Sequence, residues 1–233
     1  MLFDIGETLI TSLDTEEIFQ LILKEKGIDR SLDEIKEAHR RASAAFLAKH
    51  GDIRPTASDN HNRIYVEWDD EVMKELGIKK KGLGKYINQR WFAQAGLKAY
   101  DDAAPVLKRL SAAGLRIGIV TNGYREEVDE IFDSMSKAGR VSLKSSMFDV
   151  IVGRDTAGAS KPDPRPFLHA AGSLGLRPDE VMFVGNSYSK DYLGSQAAGM
   201  KPVLILREGK LPAGVARDIT RIKTMDELVD FIR

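Results

Sequence analysis

The chain has 233 residues, 42% of them hydrophobic, enough for one large domain or for a core with a smaller insertion. Its 35 basic and 35 acidic side chains cancel, which argues against the broad positive surface of a nucleic-acid-binding protein and leaves a local site for a small anion open. Cysteine is absent, so disulfides, thiolate metal sites and thiol catalysis are excluded, and a reducing cytoplasm is the expected compartment.

No apolar run approaches the ~18 residues that span a bilayer, and Met1-Leu2-Phe3-Asp4 lacks the basic and apolar regions of a signal peptide. The opening Met1, Leu2 and Phe3 read as a strand, although a central parallel strand normally runs to roughly five residues or more. The expectation is that the native gene product carries residues upstream of Met1, or that this strand is a weak point.

From about Asp14 to Gly96 the pattern is helical. Asp14 and Glu17 are spaced as a capping box ahead of Ile18, Leu21 and Ile22, with Gly27 closing the helix, and Ser31 and Glu34 repeat the signal. The second helix carries Ile35, Ala38, Ala42, Ala45 and Phe46 on one face and stops near Gly51. A third carries Tyr65, Trp68, Val72 and Leu76 and stops at Gly77, and a fourth carries Leu83, Ile87 and Trp91. The aromatics fall on apolar sides and read as helix-bundle core. His39, His50, His61 and His169 have no paired metal-ligand spacing and receive no role.

From Tyr100 onward apolar runs alternate with amphipathic helices. Leu115 to Val120, Val150 to Val152, Val181 to Val184 and Val203 to Leu206 give the βαβ rhythm of a doubly wound parallel sheet. The expected division is an α/β core of residues 1–13 and 97–233 with residues 14–96 inserted as a helical domain. Right-handed crossovers gather the strand C-termini along one edge, so the residues just beyond each strand share a crevice.

Those residues are Asp4-Ile5-Gly6-Glu7-Thr8-Leu9, Thr121-Asn122-Gly123, Lys161-Pro162-Asp163-Pro164, and Gly185-Asn186-Ser187-Tyr188-Ser189-Lys190-Asp191. Each alone is weak, but their order and separations resemble the four motifs of the haloacid dehalogenase (HAD) superfamily. The helical insert is similar to the cap of the branch that includes phosphoglycolate-phosphatase-like enzymes and haloacid dehalogenases. The resemblance covers nearly the whole chain and implies a Rossmann-like core with an α-helical cap.

It also implies a magnesium-dependent hydrolase of a small phosphorylated metabolite, with Asp4 as the nucleophile. A carboxylate fixed at a strand end, beside a divalent cation that offsets its repulsion with phosphate, can take a phosphoryl group and split hydrolysis into two steps. Magnesium needs an oxygen shell in which one or two carboxylates, a carbonyl and waters suffice, and Asp4, the Gly6 carbonyl, Asn186 and Asp191 are the candidate ligands. Thr121, the Asn122 backbone amide and Lys161 would hold the charged phosphoryl oxygens. The prolines flanking Asp163 fix the loop that presents Lys161.

Two positions depart from the family pattern. Gly6 stands where most phosphatases of the family have a second aspartate, the general acid and base, a group worth ~10²- to 10⁴-fold. Glu7 is adjacent, but a neighbouring position normally points elsewhere. Asn186 replaces a directly ligating aspartate, and an amide oxygen ligates without charge. Three readings follow: a phosphatase with weakened acid/base chemistry; a metal-independent 2-haloacid dehalogenase, for which Arg54 and Arg63 are the offered substrate contacts; and a non-catalytic phosphate-binding or scaffold relative. The cap, joined near Thr11 to Leu13 and near Gly96 to Lys98 with Gly96 as hinge, would open for substrate and close to exclude water. No heptad or exposed apolar stripe indicates an oligomeric state.

Overall fold

The computed structural model describes residues 1–50, 61–139, 143–211, 214–216 and 218–232, which divide into two compact units, Ser12–Leu97 and Met1–Thr11 with Lys98–Arg233. In the first unit the helical periodicity resolves into α1 (Thr15–Glu25), α2 (Leu32–His50), α3 (His61–Glu75) and α4 (Leu83–Gln94). Both capping pairs form. Asp14 N–H donates to Glu17 Oε2 at 3.0 Å, and Ser31 and Glu34 bond reciprocally, N–H to Oε2 at 2.7 Å and N–H to Oγ at 3.2 Å. Such a cap contributes about 1 kcal/mol by satisfying amides that the helix leaves unpaired.

Ile18, Ile22, Ile35, Ala38, Ala42, Val72, Leu83 and Ile87 are buried. Leu21 is not: the buried stripe of α1 runs through Ile18, Phe19, Ile22 and Leu23, and Leu21 falls beside it. Ala45 is likewise exposed. Tyr65, Trp68 and Trp91 are half-buried. Trp68 meets Phe46 edge-on at 5.3 Å between ring centroids, and Trp91 meets Phe19 at 5.6 Å. Gly51 and Arg54 lie outside the described residues, and Arg63 is exposed.

The second unit carries the strands β1 (Leu2–Phe3), β2 (Ile10–Thr11), β3 (Lys98–Ala99), β4 (Gly118–Val120), β5 (Val150–Val152), β6 (Met182–Gly185), β7 (Lys201–Ile205) and β8 (Arg221–Ile222). Six of them form one parallel sheet in the order β5-β4-β1-β6-β7-β8, and β2 pairs antiparallel with β3. Helices α5 (Ala103–Ala112), α6 (Arg125–Lys137), α7 (Arg154–Ala157), α8 (Pro164–Ser173) and α9 (Leu193–Ala197) connect them. The fold is the doubly wound α/β sheet with a helical insertion.

The short ladders β2, β3 and β8 have no counterpart in the sequence pattern, because two residues are too few to display a period. The second run, expected from Leu115, becomes a strand only at Gly118. Leu115 N–H donates back to Leu110 O at 3.1 Å and Gly114 adopts φ +80°, so Leu115 closes α5 before the strand can begin.

Leu2 and Phe3 are fully buried between β4 and β6. At Gly118 a Cβ would lie 2.4 Å from Val150 Cγ1 and 2.7 Å from Leu2 Cδ2, so the close approach of these strands demands a residue with no side chain. On the other side of β1, Phe183 meets Phe167 of α8 edge-on at 4.8 Å. Burying each such ring contributes about 2–3 kcal/mol. Because the chain runs from β1 outward to β4 and β5 on one side and to β6, β7 and β8 on the other, the topological switch point falls at the end of β1.

Candidate active site

The residue at that switch point is Asp4. Phe3 is in register with Ile119 of β4 and Val184 of β6, and Asp4 N–H donates to Val184 O at 2.9 Å. Thr121 and Asn186, each just past a neighbouring strand, therefore stand one level beyond Asp4 on either side.

Lys161 comes from the loop before α8 and is 3% exposed. The Asn122 side chain grips its backbone, accepting from Lys161 N–H at 2.7 Å and donating to Lys161 O at 3.0 Å. Asp163 then caps α8, accepting from Arg165 N–H at 2.9 Å. So held, Lys161 Nζ donates to Asp4 Oδ1 at 2.6 Å and lies 2.7 Å from Asp191 Oδ1.

Asp191 sits in the short turn Tyr188–Tyr192 beyond β6 and is 2% exposed. Its Oδ2 accepts from Ser187 N–H at 2.9 Å. At Gly185 a Cβ would lie 2.5 Å from the Asp191 Cβ, so the carboxylate reaches the strand end only because Gly185 has no side chain. Burial would push the Lys161 ammonium down, but the charges of Asp4 and Asp191 outweigh it and hold its pKa above the ordinary lysine value. The Asp191 carboxyl is pushed up by burial first and by the charge of Asp4 second, with Lys161 only partly opposing them.

Thr8, fully buried, donates from Oγ1 to Asp4 Oδ2 at 3.2 Å, so both oxygens of Asp4 are engaged. Thr121 is buried and its Oγ1 accepts from Gly123 N–H at 3.1 Å. Lys161 thus touches both Asp4 and Asp191, and Asn122 joins them through the Lys161 backbone. Gly6 is exposed and Asn186 half-buried, each placed by the strand end it follows. Glu7 is committed elsewhere: its Oε2 accepts from Tyr100 OH at 2.9 Å and its Oε1 from Thr11 Oγ1 at 3.3 Å, with its backbone left-handed at φ +52°.

The sequence reading passed over Arg207 and Asp102. Arg207 follows β7 after Leu206, where the rule that strand ends carry function points, but no motif marks it. Its Nη1 donates to Asp102 Oδ2 at 2.5 Å and its Nη2 to Thr8 O at 2.6 Å.

The donors around Asp4 suit a hard cation. Asp191 Oδ1 is buried and, although close to Lys161 Nζ, has no partner in hydrogen-bond geometry. Two carboxylates face one ammonium, so the cluster carries a surplus of negative charge that a cation would offset. Among the described residues no group of three histidine and acidic side chains gathers, so an ion here would take neutral oxygens as well, from the Asn186 amide and the Gly6 carbonyl.

Fold and site together place the chain among doubly wound α/β proteins that bind ligands where the strand order reverses. It belongs to the haloacid dehalogenase-like hydrolases, whose family profile matches residues 1–199. A glyceraldehyde 3-phosphate phosphatase of Methanopyrus kandleri is 35% identical over 90% of this chain and 84% of its own length. An (S)-2-haloacid dehalogenase 4A of Burkholderia cepacia is 35% identical over 50% of this chain and 47% of its own. The crystal structure of a HAD phosphatase from Thermococcus onnurineus superposes with a TM-score of 0.62 at 27% identity, covering 99% of this chain and 96% of that one.

Proposed function

We propose that the protein is a cytosolic, magnesium-dependent hydrolase of small phosphate esters that works through an aspartyl-phosphate on Asp4. The contact of Lys161 Nζ with Asp4 Oδ1 at 2.6 Å carries the reading, because it fixes one carboxylate oxygen beside a buried positive charge at the switch point. The similarity to a phosphatase over most of the chain supports it.

In the first step an oxygen of Asp4 attacks phosphorus and the bond to the ester oxygen breaks, leaving an alkoxide that must take up a proton. Gly6 and the committed Glu7 offer none nearby, so the proton comes from solvent, which slows poor leaving groups most. In the second step water attacks phosphorus, the bond to Asp4 Oδ breaks, and inorganic phosphate leaves. Lys161 and Thr121, with the Asn122 amide, neutralise and orient the phosphoryl oxygens, and Thr8 steadies the nucleophile. Asp4, Asp191, Asn186 and the Gly6 carbonyl would hold magnesium, whose charge shields the attacking carboxylate from the phosphate.

A second reading draws on the same vacancy at Gly6. A halide leaves without a proton, so displacement at a 2-haloacid by Asp4 would not need the missing acid, and one relative is a haloacid dehalogenase. Phosphate release from a panel of small esters and p-nitrophenyl phosphate, with magnesium or with chelator, decides between the two. Magnesium-dependent release lost in Asp4→Asn is the expected result. Halide release insensitive to chelator favours the second reading, and binding of phosphate without turnover of either substrate class marks a non-catalytic protein.

A further inference from the structure

We propose that Arg207 is a positioning residue that sets the aim of the Asp4 carboxylate through Thr8. Arg207 lies beyond the end of β7, two strands away from β1, and its side chain is 13% exposed. Its two terminal nitrogens are divided between different tasks: Nη1 on Asp102 Oδ2 at 2.5 Å, Nη2 on Thr8 O at 2.6 Å. The guanidinium plane also stands 4.0 Å from the Tyr100 ring centroid. Asp102 is itself fixed, because the same Oδ2 accepts from Met225 N–H at 2.9 Å. A fork held at one tine and against one face can place the other tine with little freedom.

What that tine holds is the loop of the nucleophile. Thr8 O is bound by Arg207 while Thr8 Oγ1 donates to Asp4 Oδ2, so the two ends of one residue link the guanidinium to the carboxylate. The Tyr100 ring under Arg207 sends its hydroxyl to Glu7 at 2.9 Å, which fastens the loop at the residue with φ +52°, a conformation that costs a non-glycine residue energy and persists only where neighbours enforce it. Lys161 fixes Asp4 Oδ1 from one side, and the Arg207–Thr8 link fixes Oδ2 from the other. Lysine at 207 could supply the charge but not the fork.

This inference rests on the hydrolase reading above. Arg207→Gln and Arg207→Lys should lower kcat on p-nitrophenyl phosphate by roughly tenfold to a hundredfold with KM nearly unchanged, the penalty of a misaimed reacting group rather than of lost substrate binding. Lysine should recover only part of the loss. The Thr8 methyl resonance should shift in both variants, and Arg109→Gln, a surface ion-pair control, should move neither reading. If the wild type turns over ester and a folded Arg207→Gln keeps its kcat, or if KM alone rises, the positioning role is overturned while the hydrolase reading stands. If the wild type turns over no ester, both fall, even with the Thr8 methyl shifted.

Discussion

Each unit of the molecule buries an aspartate, and burial raises the pKa of both, but the surroundings answer that cost differently. In the α/β unit Asp191 has a cation at 2.7 Å and a backbone amide at 2.9 Å. In the helical unit Asp69 of α3 is 5% exposed, and burial first and the like charge of Asp70 second push its pKa up to about 8. In the α/β unit the ammonium of Lys161 partly offsets the rise. The helical unit keeps its carboxylate protonated until the medium is alkaline. An opposite charge within reach counters part of the cost of burying a carboxylate, whereas burial and like charge acting together leave that cost unopposed.

The largest test of this contrast adds a carboxylate at the site. Nothing lies within 4 Å of where a Cβ on Gly6 would sit, so Gly6→Asp meets no clash at its Cβ. Under the proposed function it should raise kcat on alkyl phosphates by about 10²- to 10⁴-fold by supplying the missing proton donor, while gaining little on p-nitrophenyl phosphate. Next, Lys161→Met removes the cation between Asp4 and Asp191. Chemical denaturation should register a loss of about 3–5 kcal/mol, since two buried carboxylates then face each other unopposed.

Asp69→Asn tests the other side. The folded chain retains the Asp69 proton that the unfolded chain releases near pH 3.8, so the stability contributed by this residue is complete at acid pH and falls as pH rises toward about 8. The asparagine variant should therefore flatten the decline of Tm across that window and melt higher than the wild type at neutral pH. An unchanged slope would remove the contrast. The smallest effect is expected at Asp163, half-exposed at the start of α8, where Asp163→Ala should cost about 1 kcal/mol through the lost cap and leave Asp69 titration untouched.

Much of this was legible because strand ends announce themselves. Asp4, Thr121, Lys161 and Asp191 each follow an apolar run or sit in a proline- or glycine-marked loop, and parallel topology carries such positions to one edge. The capping pairs of α1 and α2 were equally readable, being local by nature. What escaped was non-local. That Asn122 spends its side chain on the Lys161 backbone depends on a contact 39 residues away in the chain, and the grip of Arg207 on Thr8 spans 199. Leu21 was misplaced because the apolar stripe of α1 is centred one residue off its position, a rotation that periodicity fixes only approximately.

The ammonium bridge has a consequence for assembly. Lys161 and Asp4 are 157 residues apart, and β1, which leads into Asp4, lies beside β6, which leads toward Asp191. Closing so long a loop costs entropy that the pairing of the central strands repays, so the three charges meet in a chain whose sheet is assembled. A partly assembled sheet leaves carboxylate and ammonium apart in water, so the bridge rewards only the complete sheet. The charges that equip the site also enforce completeness on the fold that surrounds it.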